Sequence, residues 1–160
     1  MNRRQRDPAA DDGTIVARNP RARHDYHILD TWEAGIVLTG TEIKAVRQGK
    51  VSLKEAHGVV LREEVWLAGM TISPYASAGY VSHDPVRRRK LLLHRQEIRR
   101  LIGAVQEKGL TLIPLDLHIA RGRAKIRLAL GRGKKLHDKR ADLKRKDAER
   151  EARRAVGKRS

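Results

Sequence analysis

The residues Leu112-Ile113-Pro114-Leu115-Asp116-Leu117-His118-Ile119 and, beyond a turn, Lys125-Ile126-Arg127-Leu128-Ala129-Leu130 decide the fold. Apolar side chains recur at every second position, at 113, 115, 117 and 119 and again at 126, 128 and 130. This period is typical of β-strands, and Gly122 between the two halves favours a turn, so the stretch predicts a β-hairpin. Pro114 has no N–H group for the strand ladder and therefore predicts an edge strand or a bulge.

The rest of the chain adds short strands and two helices. Strands are predicted at 14–17, 26–39, 59–61 and 65–67, with Gly35 as a bulge in the second and 70–72 continuing the last. Helices are predicted at 41–48, capped by Thr41 and ended by Gly49, and at 95–107, ended by Gly109, while 73–85 is a loop. Consecutive hairpins predict a mainly β (α+β) fold, a small antiparallel β-barrel of the oligonucleotide-binding type with flanking helices.

The composition excludes several classes of function. A chain of 160 residues fits one domain with tails, and its net charge of +17 and pI near 11.0 favour a polyanionic partner. The absence of cysteine excludes disulfides, thiol catalysis and thiolate metal sites. No apolar run approaches the roughly 20 residues that cross a bilayer. The N-terminal residues do not resemble a secretory signal, so we expect a cytoplasmic protein.

A basic loop, residues 131–140, follows the hairpin and carries five Lys/Arg. Main-chain N–H groups and cationic side chains together suit phosphates, although such a loop read alone is also compatible with a solvated linker. Residues 131–160 hold 13 Lys/Arg against five acids, and no apolar stripe follows 141. The tail is therefore predicted to be disordered when free and helical against RNA. We divide the chain into a flexible N-terminus (1–13), an RNA-binding β-barrel (14–132) and a basic C-terminal tail (133–160).

The residues offer no recognisable catalytic or cofactor site. Gly133-Lys134 lacks the following Ser/Thr and the leading glycine of a phosphate-binding loop, and the seven histidines lack metal-ligand spacing. The basic run 87–90 is compatible with a solvated surface or with a phosphate contact. Aromatic residues make up only 3% of the chain, which argues against stacking of single-stranded bases and favours a folded RNA recognised by shape and phosphates.

Six stretches occur in a distinctive order along the chain. They are Arg21-Ala22-Arg23-His24-Asp25-Tyr26, Trp32-Glu33-Ala34-Gly35, Gly40-Thr41-Glu42-Ile43-Lys44, Ile72-Ser73-Pro74-Tyr75, Asp84-Pro85 through Leu91-Leu92-Leu93-His94, and Gly133-Lys134-Lys135-Leu136-His137-Asp138-Lys139-Arg140. Together, over residues 14–146, they resemble the SsrA-binding protein (SmpB) family, the partner of transfer-messenger RNA in bacterial ribosome rescue. The resemblance implies a barrel like an oligonucleotide-binding fold. It also implies a non-enzymatic protein, without cofactor or metal, that stands in for the missing anticodon arm of that RNA in trans-translation.

Carried over by position, the resemblance implies two sets of site residues. The RNA-binding set, for the tRNA-like domain, comprises Arg21, Arg23, His24, Tyr26, Glu33, Arg89, Lys90, Leu92 and His94. The ribosome-binding set, for the decoding centre and empty mRNA channel, comprises Gly133, Lys134, Lys135, His137, Asp138, Lys139 and Arg140. Implied partners are transfer-messenger RNA and the ribosome with its small-subunit rRNA, elongation factor Tu and alanyl-tRNA synthetase through the RNA, and no membrane. The sequence departs from the family pattern at Ala148, where many members have Trp, at Pro20 and at His57.

Three other interpretations stay open from the sequence. A structural ribosomal protein fits the charge and the barrel equally well, and its stoichiometry with ribosomes would distinguish it. An RNA nuclease or modifying enzyme would use His137 or His24 as a base, but no partner constellation accompanies either residue. A DNA-architectural protein is the third alternative, and competition of bound RNA with duplex DNA would test it.

Overall fold

The computed structural model describes residues 13–74, 83–107 and 109–157. Over these ranges the strands are β1 (Thr14–Arg18), β2 (Tyr26–Ile36), β3 (Val51–Ser52), β4 (His57–Leu61), β5 (Glu64–Ala68), β6 (Thr71–Ile72), β7 (Arg89–Leu92), β8 (Leu110–Ala120) and β9 (Arg123–Gly133). The helices are α1 (Pro20–Asp25), α2 (Gly40–Arg47), α3 (Arg95–Val105) and α4 (Leu136–Gly157). Most of the flexible N-terminus that the sequence predicted, and Tyr75 of the fourth quoted stretch, lie outside the described residues.

Antiparallel pairing joins β8, β4, β5, β7, β2 and β9 in that order, and β9 pairs again with β8. The link between β4 and β8 consists of one register pair, Gly58 opposite Leu112, whereas β8 and β9 pair along nearly their full length. A Cβ atom on Gly58 would lie 2.6 Å from the Leu112 Cβ, so only glycine permits this approach. The sheet is therefore barrel-like but not a closed barrel, and we refer to it as the barrel below. The predicted antiparallel β fold with flanking helices is confirmed.

The predicted hairpin of β8 and β9 is confirmed, together with a bulge at the proline. The register between the two strands shifts between Pro114 and Asp116. The shift reverses which face successive residues occupy, because side chains alternate along a strand. Leu117 belongs to the main core, but Ile113 and Leu115 belong to a second, smaller cluster. The apolar alternation at 113, 115, 117 and 119 therefore does not mark one face, as its period suggests.

The main core fills the inside of the curved sheet. Its buried members from the sheet are branched and aliphatic, and they include Val65, Leu67, Leu91, Ile126 and Leu128. α2 contributes Ala45 and Val46, and α3 contributes Leu101, which is fully buried. The apolar stripe of α3 that the sequence predicted thus faces the core. The second cluster lies on the other side of β8 and β9, beneath α1.

Three local predictions are wrong. α2 is capped by Thr39 and not by Thr41, because the Thr39 side chain accepts from the Glu42 N–H group and the Glu42 carboxylate accepts from the Thr39 N–H group. The bulge in β2 lies between Ile28 and Asp30 and not at Gly35. Residues 71–72 do not extend β5 but pair with β3 as a separate two-stranded sheet.

The tail begins as a helix directly after the barrel. α4 differs from the expectation of a tail that is disordered when free. It consists largely of Ala, Lys, Arg and Glu, which favour helix, and its first turns are fixed to the barrel by ion pairs. Beyond Asp142 its described side chains are exposed. None of the helices over the described ranges is both long and apolar enough to cross a membrane.

Candidate nucleic-acid interface

Glu33 lies at the centre of a hydrogen-bonded network on the outer face of β2, β8 and β9. His118 Nε2 is 3.1 Å from Glu33 Oε1, and His118 Nδ1 is 2.8 Å from Asp116 Oδ1. The side chains of His118 and Asp116 are buried, with 6% and 10% exposed, while that of Glu33 is 44% exposed. Buried partners thus orient one carboxylate that solvent can reach. We call these three residues the acceptor network.

Two cationic side chains on β9 lie close to the carboxylates of the acceptor network. Lys125 Nζ lies 3.4 Å from Glu33 Oε1, and Arg127 Nε lies 3.8 Å from Asp116 Oδ2. Partial burial tends to raise the pKa of Glu33, but the hydrogen bond from His118 and the charge of Lys125 outweigh it and hold that pKa below its ordinary value. Glu33 is therefore an ionised hydrogen-bond acceptor at neutral pH.

Sequence reasoning identified Glu33 but missed Asp116, His118, Lys125 and Arg127. The sequence does contain a pattern that points to two of them. Asp116 and His118 are polar residues two positions apart in an otherwise apolar strand, and so they share one face. Their partners could not be predicted without the register. The bulge at Pro114 sets Asp116 opposite Arg127 and His118 opposite Lys125.

Leu92 and Glu33 lie on adjacent strands and face the same side of the sheet. Leu92 pairs with Gly35, and a Cβ atom on Gly35 would lie 3.3 Å from the Leu92 Cβ. Glu33 is two residues from Gly35 and therefore shares its face. The side chain of Leu92 is half exposed, at 53%. His94 follows in the loop before α3 and is highly exposed, and Lys90 pairs with Glu64 at 3.1 Å.

Arg89 does not agree with the expectation that it contacts RNA. Its side chain is fully buried, with Nε 2.6 Å from Glu42 Oε2 and Nη1 2.7 Å from the Met70 carbonyl oxygen. Arg87 donates to the other oxygen of Glu42 at 2.6 Å. Burial tends to raise the pKa of Glu42, but the Thr39 N–H group and the two arginines hold it below its ordinary value. Arg89 therefore ties α2 to the barrel and cannot reach a ligand.

The predicted RNA-binding residues on α1, together with Tyr26 at the start of β2, lie beside the second core cluster. Arg21 is 3.8 Å from Glu55, and Arg23 is exposed without a carboxylate partner within the described ranges. Tyr26 is partly buried against the second cluster. His24 Nδ1 lies 2.8 Å from Asp25 Oδ1, which also receives Lys139.

The start of the tail is fastened to α1 and β2 by a group of contacts that we call the tail latch. Lys139 Nζ is 3.1 Å from Asp25 Oδ1, and His27 Nε2 is 3.6 Å from Asp138 Oδ2. The backbone N–H group of Lys134 donates to the Asp25 carbonyl oxygen at 2.8 Å. The hydrogen bond from His24 holds the pKa of Asp25 below its ordinary value, and Lys139 acts in the same direction. The latch thus pairs an ionised carboxylate with a predicted ribosome-binding residue.

The predicted ribosome-binding residues divide into paired and exposed groups. Lys134 pairs with Asp142, and this hydrogen bond holds the pKa of Asp142 below its ordinary value. Lys135 and Arg140 are exposed, as is Gly133 at the end of β9. The backbone of His137 lies in the first turn of α4. Over the ranges that the structure describes, no group of three or more His, Asp or Glu could hold a metal ion.

Comparisons with known proteins agree with one another. The profile of the SmpB protein family matches residues 16–158. An SsrA-binding protein of Saccharopolyspora erythraea is 57% identical over 143 residues, which is 89% of this chain and 90% of the relative. One of Geobacillus thermodenitrificans is 54% identical over 144 residues, or 90% and 93% of the two chains. A chain in a solved structure of tmRNA-SmpB and the bacterial ribosome is 51% identical, with a TM-score of 0.63 over 74% of this chain and 84% of that one.

Proposed function

The chain belongs to the SmpB protein family, and from that premise we propose that it binds the tRNA-like domain of transfer-messenger RNA and delivers it to stalled ribosomes for trans-translation. The observation that carries the proposal is the family match over residues 16–158, since it includes both the barrel and the tail. The names of its relatives and the tmRNA-SmpB structure support transfer-messenger RNA as the partner, and the charge of +17 supports a polyanionic partner. The role is that of a binding protein and requires no catalysis.

The acceptor network supports a specific contact with RNA and not merely attraction to phosphates. A carboxylate repels the phosphate backbone, so Glu33 is useful only against a hydrogen-bond donor, such as a base N–H group or a 2′-hydroxyl. The half-exposed Leu92 on the same face offers an apolar surface for a base or a sugar. Glu33, Leu92 and His94 therefore form the part of the barrel that we assign to the tRNA-like domain.

The domain boundary supports separate binding roles for the barrel and the tail. β9 ends at Gly133 and α4 begins at Leu136, close to the division at 132/133 that the sequence predicted. We assign residues 14–132 to binding of transfer-messenger RNA. We assign residues 133–160 to the decoding centre and the empty mRNA channel, where Lys135, His137, Lys139 and Arg140 meet rRNA. Elongation factor Tu and alanyl-tRNA synthetase then act through the RNA, in the cytoplasm.

Replacing Lys139 and Arg140 together with Ala tests this division. The variant should bind the tRNA-like domain within about twofold of the wild type, because the barrel keeps its contacts. It should lose most peptide tagging in a reconstituted reaction with ribosomes stalled on truncated mRNA. Arg47→Ala/Lys50→Ala, which removes the same charge from an exposed surface outside the tail, is the control and should keep both RNA affinity and tagging. An equal loss of RNA affinity and tagging in the first variant would show that the barrel and the tail do not act separately.

A further inference from the structure

Three arginines from separate elements line one small cavity on the outer face of the barrel. Arg18 ends β1, Arg23 lies on α1 and Arg127 lies on β9, and the cavity between them has a volume of about 270 Å³. Ile15, Pro20 and Leu115 form its apolar wall. We call it the arginine pocket. Sequence reasoning selected only Arg23, because the three residues are far apart in the chain.

The arginine pocket holds more positive charge than its own carboxylate neutralises. Asp116 is the acid that lines it, and its Oδ2 is 3.8 Å from Arg127 Nε while its Oδ1 is engaged by His118. Neither Arg18 nor Arg23 has a carboxylate partner within the described parts of the chain, and both are exposed. Three guanidinium groups around one cavity with a single carboxylate leave a net positive charge there, and a bound anion neutralises it.

The pocket is continuous with the acceptor network. Asp116 belongs to both, and Arg127 is the register partner of both Asp116 on β8 and Glu33 on β2. An anion in the pocket would therefore lie on the same face of the sheet as Glu33, an ionised carboxylate that accepts hydrogen bonds. An RNA nucleotide carries an anion and a hydrogen-bond donor in neighbouring positions. Its phosphate oxygens can bind the arginines, and its 2′-hydroxyl can donate to the carboxylate.

We propose that the arginine pocket is a binding site for a single backbone phosphate of RNA, held by Arg18, Arg23 and Arg127. The inference rests on the proposed function in taking RNA as the partner, and it adds Arg18 and Arg127 to the contact residues. The pocket is smaller than the roughly 300–1,000 Å³ of sites that enclose whole drug-sized ligands, which suits a phosphate and part of its sugar. The phosphate comes either from transfer-messenger RNA or from rRNA.

The test measures binding of full-length Arg18→Ala, Arg127→Ala and wild-type protein to the tRNA-like domain and, separately, to small ribosomal subunits, each over a salt series. These are the two arms of the test. Each variant should bind about tenfold more weakly, at physiological salt, to the RNA that contributes the phosphate. The slope of log affinity against log salt should become shallower by about one. Arg18→Lys should keep the slope, because it keeps the charge. Arg47→Ala, an exposed arginine on α2 outside the pocket, is the matched control.

Each outcome decides the proposal. A loss in the first arm assigns the phosphate to transfer-messenger RNA, and a loss in the second assigns it to rRNA. Variants that behave like Arg47→Ala in both arms overturn the site. Arg18 is exposed, so its variant keeps the test valid should Arg127→Ala fold poorly. An equally long structured RNA serves as a third binding partner. If wild-type protein binds it as tightly as the tRNA-like domain, the proposed function fails, while a loss on that RNA that Arg47→Ala does not share still supports the pocket.

Discussion

His118 lies between two carboxylates and positions one of them. Its Nδ1 is 2.8 Å from Asp116 Oδ1 and its Nε2 is 3.1 Å from Glu33 Oε1, so the ring bridges the two side chains. Because the side chains of His118 and Asp116 are buried, this bridge fixes the position of Glu33 Oε1. The second oxygen of Glu33 is then presented to a ligand in a defined direction. If Glu33 contacts RNA as we propose, His118 is a positioning residue for that contact.

His118→Gln should weaken binding to the tRNA-like domain by about tenfold, because the single nitrogen of the Gln amide cannot span the two carboxylates as the two ring nitrogens do. Glu33→Gln should weaken the same binding by a similar factor. In the double variant the two losses should not multiply, since His118 acts through Glu33. Dissociation constants for the four proteins complete the cycle, with His57→Gln as an exposed control. Losses that multiply fully would mean that the two residues act independently.

Glu42 is the residue on which the packing of α2 depends. It is fully buried and receives Arg87, Arg89 and the Thr39 N–H group. Glu42→Gln leaves Arg89 buried without its counter-charge, which should cost about 3–5 kcal/mol of unfolding free energy at neutral pH. Urea denaturation of the variant and the wild type measures this difference in unfolding free energy. Glu55→Gln, at an exposed pair with Arg21, should cost less than about 1 kcal/mol. Equal effects of the two substitutions would contradict the role of the buried pair.

The same residue predicts how stability depends on pH. Because the pKa of Glu42 in the folded protein lies below its ordinary value of 4.5, folding stabilises the ionised form. That contribution is complete above about pH 4.5 and is lost as the pH falls through the folded-state pKa. Wild-type protein should therefore lose more stability than Glu42→Gln over this acidic range. Parallel pH profiles for the two proteins would be inconsistent with this linkage.

At the scale of elements, the local patterns were sufficient for most strands and for two helices. Alternation predicted β8 and β9, and the spacing of Ile98, Leu101, Ile102 and Val105 predicted α3. α1 was missed because six residues hold too little periodicity to distinguish a helix from a basic loop. The bulge at Pro114 was anticipated, but its effect on which residues share a face depends on the partner strand. For this reason Glu33 could be identified and its network could not.

The two hairpin turns illustrate what a sequence pattern leaves out. The β8–β9 turn places Arg121 and Gly122 at φ angles of 51° and 73°, and the β4–β5 turn places Arg62 and Glu63 at 49° and 62°. Only the first has the glycine that this conformation favours. The second hairpin was still predicted, from the apolar residues on either side of it. Strand pairing therefore outweighs the local cost of two side chains in the left-handed region.

The tail latch predicts a specific change in the first turn of α4. Asp25→Asn removes the charge that holds Lys139, so amide exchange in residues 138–142 should become at least several-fold faster. Exchange in β8 and β9 should be unchanged, because their cores do not involve Asp25. Asp30→Asn, an exposed change on the following strand β2, is the control. Unaltered exchange in the first turn of α4 would show that the latch does not hold the tail.

At the scale of the whole molecule, charge and specificity reside in different places. Residues 131–160 carry a net charge of +8 and residues 25–130 a net charge of +6, so both parts attract RNA. The acceptor network, by contrast, is one carboxylate with its partners on the outer face of the barrel. Affinity that depends on charge weakens as salt rises, whereas a hydrogen bond to a particular group of the RNA is less sensitive to salt. We therefore expect discrimination between RNAs to depend on the barrel.

The most direct test is a salt titration of wild-type binding to the tRNA-like domain of transfer-messenger RNA, with an equally long structured RNA as competitor. Both complexes should weaken as salt rises, because counterions are released from phosphates. The account predicts that the tRNA-like domain keeps at least about a hundredfold preference at physiological salt, and that Glu33→Gln reduces it. Equal affinities for the two RNAs at every salt concentration would contradict the account and would leave a general RNA-binding protein.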